Sequence, residues 1–206
     1  MKKHSKLVRS VEMIQDLVVC SVRYWGTLIR FGFIYGFVDA ALNALSFLQT
    51  TKVLSSISKE GEEHALDHIK KKMPFGKLLS FIWASLLSSC IAVFFIIGNG
   101  LKFPGNIFLL VVCLTSFSIY HTFLVVIVRL HSEKNHSYTG KRLVAYAFVY
   151  MIGNPFKSLF ILMLTGSAIA IAYLNLVLFV FFVPSVFWLM VQKGIQEKGL
   201  NEVKIS

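Results

Sequence analysis

SLFILMLTGSAIAIAYLNLVLFVFFVPSVFWLMVQ, residues 158–192, runs for 35 residues between Lys157 and Lys193 without a formal charge. As one α-helix it would rise about 1.5 Å per residue to about 50 Å, well beyond the roughly 30 Å hydrocarbon core of a bilayer. Two short spans joined by a turn fit that thickness. Gly166, Ser167 and Asn175 near the midpoint supply turn chemistry, and the two lysines mark the water boundary.

Composition extends this reading to the whole chain. Its 206 residues are 56% hydrophobic and 14% aromatic, above the roughly 45–50% apolar content of soluble domains, and mean hydropathy is +0.69. The expectation is one all-α domain over residues 1–206, a polytopic transmembrane helix bundle. The net charge of +11 is not a nucleic-acid footprint, because the Lys and Arg residues sit in the gaps between apolar runs and form no continuous basic face. Cys20, Cys90 and Cys113 lie inside apolar runs without paired spacing, which argues against a disulfide framework and a zinc site. At the amino end, Glu12 and Asp16 interrupt what would have to be an apolar signal core, so the basic start reads as retained and cytoplasmic.

Residues 78–98 and 107–128 are two more uncharged spans, joined by NGLKFPGN at residues 99–106, which holds only Lys102 and reads as a turn. Lys70, Lys71, Lys72 and Lys77 precede this pair, and Arg129, Lys134, Lys141 and Arg142 follow it. The positive-inside rule then makes both flanks cytoplasmic and the turn external. By the same rule Lys193, Lys198 and Lys204 put the carboxyl terminus in the cytoplasm. Residues 142–153 are apolar but too short to cross, and Asn154 before Pro155 disfavours helix, so 142–155 reads as an interfacial helix. The connector at 51–77 is polar and mixed in charge, a cytoplasmic arm.

The first 50 residues carry two patterns. Gly32, Gly36, Ala40 and Ala44 recur every fourth position, a small-residue stripe that implies one continuous helix over 31–50 and a close-packing surface. Upstream, Arg9, Glu12, Asp16, Arg23, Thr27 and Arg30 follow helical spacing and form one polar stripe. That stripe faces protein, a wet cavity or the interface, because Arg or Asp at mid-membrane costs about 2.5–3.5 kcal/mol. If residues 7–29 cross, the protein has six short spans in three hairpins with both termini cytoplasmic. If they lie flat, it has five.

Few residues offer chemistry. His64, Asp67 and His68 have i, i+4 spacing, but Ala65 stands where a zinc protease needs glutamate, so the segment reads as a solvated helix. His121, inside an apolar helix, is either a functional ionisable group or a neutral imidazole bonded to a neighbouring helix, with Ser118, Tyr120 and Thr122 nearby. Asp39 invites pairing with Arg23 or Arg30, as a register pin or an ion pathway. Asn43 and Asn175 can bond across helices. No catalytic set, cofactor motif or metal site emerges.

At residues 36–45, GFVDAALNAL, the chain resembles the YesL-like family of bacterial membrane proteins, whose first apolar helix precedes a Gly-Pro-Ala-Thr-x-Ala-Leu type segment. Gly36, Ala40, Ala41 and Leu42 match; Phe37 stands for the proline and Asp39 for the threonine. The order along the chain agrees: Phe75 and Lys77 before a span, a hairpin, a basic loop, then Asn154, Pro155, Phe156 and Lys157, and a final helix pair with Pro184. The family's genes commonly accompany carbohydrate uptake systems of the ATP-binding-cassette type. The resemblance therefore implies a non-enzymatic accessory or regulatory subunit of such an importer in the bacterial plasma membrane, partnered by permease subunits. It supplies no active-site residues. The alternatives are a small transporter or channel lined by Arg23, Arg30, Asp39 and His121, which at this length would work as a homo-oligomer, and a bacteriocin-immunity type protein.

Overall fold

A computed structural model of the chain describes residues 2–51, 73, 75–99, 105–132 and 140–195. Most of the polar arm at 51–77, the His64 to His68 segment, the turn around Lys102, Lys134, Lys198 and Lys204 lie outside the described residues. Among those described, the fold is all α-helical. Its helices are α1 (Lys2–Arg30), α2 (Phe37–Thr50), α3 (Gly76–Gly98), α4 (Asn106–Ser132), α5 (Lys141–Gly153), α6 (Pro155–Leu174) and α7 (Leu176–Gly194). Four of them, α3, α4, α6 and α7, are long and apolar enough to cross a membrane.

The long uncharged run does break into two helices, but at Asn175 rather than around Gly166. Asn175 is extended at φ −154°, and its side chain accepts from the Leu178 N–H at 3.0 Å, capping α7. Gly166 and Ser167 stay within α6, where the Ser167 hydroxyl donates back to the Met163 carbonyl at 2.9 Å and so needs no turn. Pro155 occupies the first turn of α6, where its missing N–H is harmless.

A larger correction concerns residues 31–50, which do not form one helix. Gly32 adopts φ +71°, the Phe33 N–H bonds the Leu28 carbonyl at 2.9 Å, and the Gly32 N–H bonds the Ile29 carbonyl at 3.0 Å. This is a Schellman motif with Gly32 at its left-handed position, and it ends α1 just after Arg30. The four-residue spacing of Gly32 and Gly36 is thus turn chemistry, not a helical stripe. Gly36 is needed for contact: a Cβ there would lie 3.0 Å from the Leu28 oxygen and 3.1 Å from its Cα. The chain reverses tightly, and α2 folds back along α1.

Only the second half of the stripe packs helix on helix. Ala40, Ala41 and Ala44 are fully buried together with Val38, Leu45 and Leu48, and α2 touches α1, α3, α4 and α7. It is the central helix of the bundle. With 14 residues it rises only about 21 Å, less than a bilayer core. Around it, α3 with α4 and α6 with α7 form two hairpins. Among the described residues α3 touches neither α6 nor α7, so α2 and α4 join the two hairpins.

Candidate functional site: an aromatic cavity around His121

The site is built on a defect in α7. Pro184 lies inside that helix and has no N–H, so the Val180 carbonyl four residues earlier lacks a helical donor. The Trp25 indole N–H of α1 donates to that carbonyl at 2.9 Å. One turn away, the Ser21 hydroxyl accepts from the Ser185 N–H at 3.3 Å and donates to the Ser185 hydroxyl at 3.1 Å. These bonds set Ser21 and Trp25 level with Ser185 and Val180, so α1 runs antiparallel to α7 through the middle of that helix. The face of α1 that makes this contact is regular: Leu17, Cys20, Ser21, Tyr24 and Leu28 are buried, a helical repeat of three and four residues.

His121 ties the two hairpins together. Its Nδ1 accepts the Trp83 indole N–H of α3 at 3.0 Å, and its Nε2 lies 3.0 Å from the Thr165 hydroxyl of α6. Because an indole nitrogen only donates, Nδ1 carries no proton, and the neutral ring holds its hydrogen on Nε2. That hydrogen goes to Thr165, whose hydroxyl donates to the Ile161 carbonyl at 2.9 Å. Every polar atom in the chain from Trp83 to Ile161 is used, and all donors point one way. Aromatic rings close around it: Phe117 stacks on the imidazole at 5.7 Å, and Phe37 stacks on Trp83 at 4.3 Å. Phe187 of α7 lies 6.2 Å from the same imidazole.

Outward from His121 a cavity of about 540 Å³ opens between the hairpins. Its walls come from α1 (Tyr24, Trp25), the α1–α2 turn (Phe33), α3 (Leu87), α6 (Ala168) and α7 (Val183). The volume falls within the roughly 300–1,000 Å³ of pockets that hold organic ligands. Exposed wall residues Phe33, Ile34 and Ile169 mark its mouth. Among the described residues no acidic or basic side chain lines it other than the neutral His121. Such a space can hold an apolar molecule, but it offers an ion no ligands.

The residues singled out from the sequence do not gather there. Of Arg23, Arg30, Asp39 and His121, only His121 lines the cavity. Arg23 is exposed, with its guanidinium 4.6 Å over the Phe47 ring, and Arg30 is exposed as well. Asp39 is half-buried in the first turn of α2 and, among the described residues, forms no ion pair with either arginine. Asn43 does bond across helices, donating to the Thr27 hydroxyl at 2.9 Å, whereas Asn175 acts only as a local cap. The exposed polar face of α1 therefore continues onto α2 through Thr27 and Asn43.

Trp25, Trp83, Thr165 and Tyr24 were not legible as site residues. One signal was present: Pro184 in an apolar run announces an orphaned carbonyl at Val180 that some donor must satisfy. Among the described residues no three His, Cys, Asp or Glu side chains gather as a metal site. Comparison with protein-family models, curated proteins and solved structures gives no match for this chain.

Proposed function

We propose that the protein is a non-enzymatic, multi-pass subunit of a larger assembly in the bacterial plasma membrane. The observation that carries this reading is the pair of exposed arginines Arg23 and Arg30 on α1, the helix bonded alongside the middle of α7, with the exposed Asn43 of α2 joined to them through its bond to Thr27. If α7 crosses the bilayer, that face stands at bilayer depth, where lipid satisfies neither guanidinium nor amide. A partner protein does. The matching surface on that partner is a membrane helix carrying acidic or amide side chains.

The resemblance to YesL-like proteins supplies the identity of the partner, a permease subunit of a carbohydrate ATP-binding-cassette importer. The topology that belongs to this reading has three helix pairs and both termini in the cytoplasm, with α1 and the short α2 as the first pair. The burial of α2 by four neighbours supports it, because a helix wrapped in protein need not match the bilayer thickness. The exposed arginines argue against an ion channel lined by Arg23, Arg30 and Asp39, since these residues stand outside the cavity.

Mild-detergent purification followed by mass spectrometry tests the proposal. Importer permease subunits are expected to accompany the wild-type chain and to be lost from an Arg23→Ala, Arg30→Ala double variant. Monomeric extraction together with unchanged sugar uptake in a deletion strain defeats it.

A further inference from the structure

The cavity around His121 has a polar inventory that narrows what it holds. The Trp25 and Trp83 indoles, both imidazole nitrogens and the Thr165 hydroxyl are all spent on protein partners. Apart from the exposed Ser88, two cavity residues differ. Tyr24 is 8% exposed and Trp188 only 1% exposed, yet among the described residues neither the Tyr24 hydroxyl nor the Trp188 indole N–H has a hydrogen-bond partner. Both groups donate, and a donor in an apolar site favours a ligand that brings it an acceptor. What completes them is an acceptor inside an otherwise hydrocarbon ligand.

Shape points the same way. The mouth is bounded by the apolar side chains of Phe33, Ile34 and Ile169, and among the described residues α3 does not touch α6 or α7, so the gap between hairpins opens sideways. We propose that the cavity is a lateral binding site for a phospholipid acyl chain, with the chain against the aromatic walls and an ester carbonyl accepting from Tyr24 or Trp188. A bilayer lipid is present at high local concentration, and a chain that enters replaces an apolar void with dispersion contacts. The site is independent of the partner-binding face on α1 and α2, because Arg23, Arg30 and Asn43 do not line it.

The full-length protein in phosphatidylcholine vesicles doped with a phosphatidylcholine carrying a diazirine in its acyl chain tests this directly. After photolysis, mass spectrometry is expected to find adducts on Val183, Phe187 and Trp188 as well as on the outward-facing Phe108 and Leu109. Ala168→Phe, which fills the cavity, should abolish the first set several-fold more than the second. Ala84→Leu serves as a second filling variant if the first does not fold. Brominated acyl chains should likewise quench wild-type tryptophan emission more strongly than that of a filled variant, since Trp25, Trp83 and Trp188 are the three tryptophans of the chain and all line the cavity. Adducts confined to Phe108 and Leu109, or wall labelling by a diazirine fatty acid but not by the phospholipid, overturns the proposal.

Discussion

Trp25 and Val180 stand 155 positions apart, and a 2.9 Å hydrogen bond from indole to carbonyl joins them. It closes the gap that Pro184 opens in the backbone ladder of α7 and fixes the depth at which α1 lies against the bundle. A proline in one helix thereby selects a tryptophan in another. The arrangement follows the general rule that backbone groups freed inside an apolar helix are satisfied by neighbouring helices.

Replacing the donor exposes that dependence. Trp25→Phe should destabilise the protein by about 1–3 kcal/mol, the cost of a buried acceptor without a partner. Pro184→Ala restores an N–H for Val180, so Trp25→Phe should cost markedly less in that background. Unfolding of all four proteins in detergent, arranged as a double-mutant cycle, measures the coupling. Equal costs in both backgrounds would mean the bond is incidental.

His121 is expected to behave as a clamp between hairpins. His121→Leu strands the Trp83 indole and removes the Nε2 hydrogen that Thr165 accepts, and stability should fall by about 1–3 kcal/mol. Adding Trp83→Phe should cost less than its effect alone, because the stranded donor disappears. Nitrogen-15 NMR of the imidazole at neutral pH should show the proton on Nε2. A proton on Nδ1 would contradict the Trp83 bond.

Glycines separate into structural and dispensable ones. Gly32→Ala should cost about 1–2 kcal/mol through its left-handed backbone, and Gly36→Ala should be at least as harmful, because its Cβ meets the Leu28 backbone. At Gly26 and Gly166, where an added Cβ meets nothing within 4 Å, alanine should stabilise by about 0.5–1 kcal/mol. Thermal melts in detergent rank the four. Tolerance at Gly36 would show that α1 and α2 need not approach so closely.

Topology can be read by cysteine labelling in intact cells. Asn99→Cys should react with an impermeant maleimide from outside, and Lys141→Cys only after permeabilisation. The reverse pattern would invert both hairpins and with them the proposed orientation of the complex.

The spans were legible because lipid imposes a one-dimensional rule. Uncharged runs near 78–98, 107–128 and 158–192 correspond to α3, α4, α6 and α7, with bounds shifted by a few residues. The first 50 residues were not, and the reason lies in glycine. Spacing of four residues at Gly32 and Gly36 is compatible with a packing stripe and with a Schellman stop followed by a tight reversal, and periodicity cannot choose between them. A basic residue followed closely by glycine, Arg30 then Gly32, was the local signal for a helix end.

What the sequence by itself determined is the all-helical class and the four long apolar helices, since hydrophobic length and charge placement are local properties that survive any arrangement in space. Only the tertiary structure decided that α2 is the central helix, that Trp25 satisfies Val180, and that His121 accepts from Trp83 and donates to Thr165. Those outcomes depend on directional hydrogen bonds and ring contacts between residues up to 155 positions apart, whose geometry no single helix encodes.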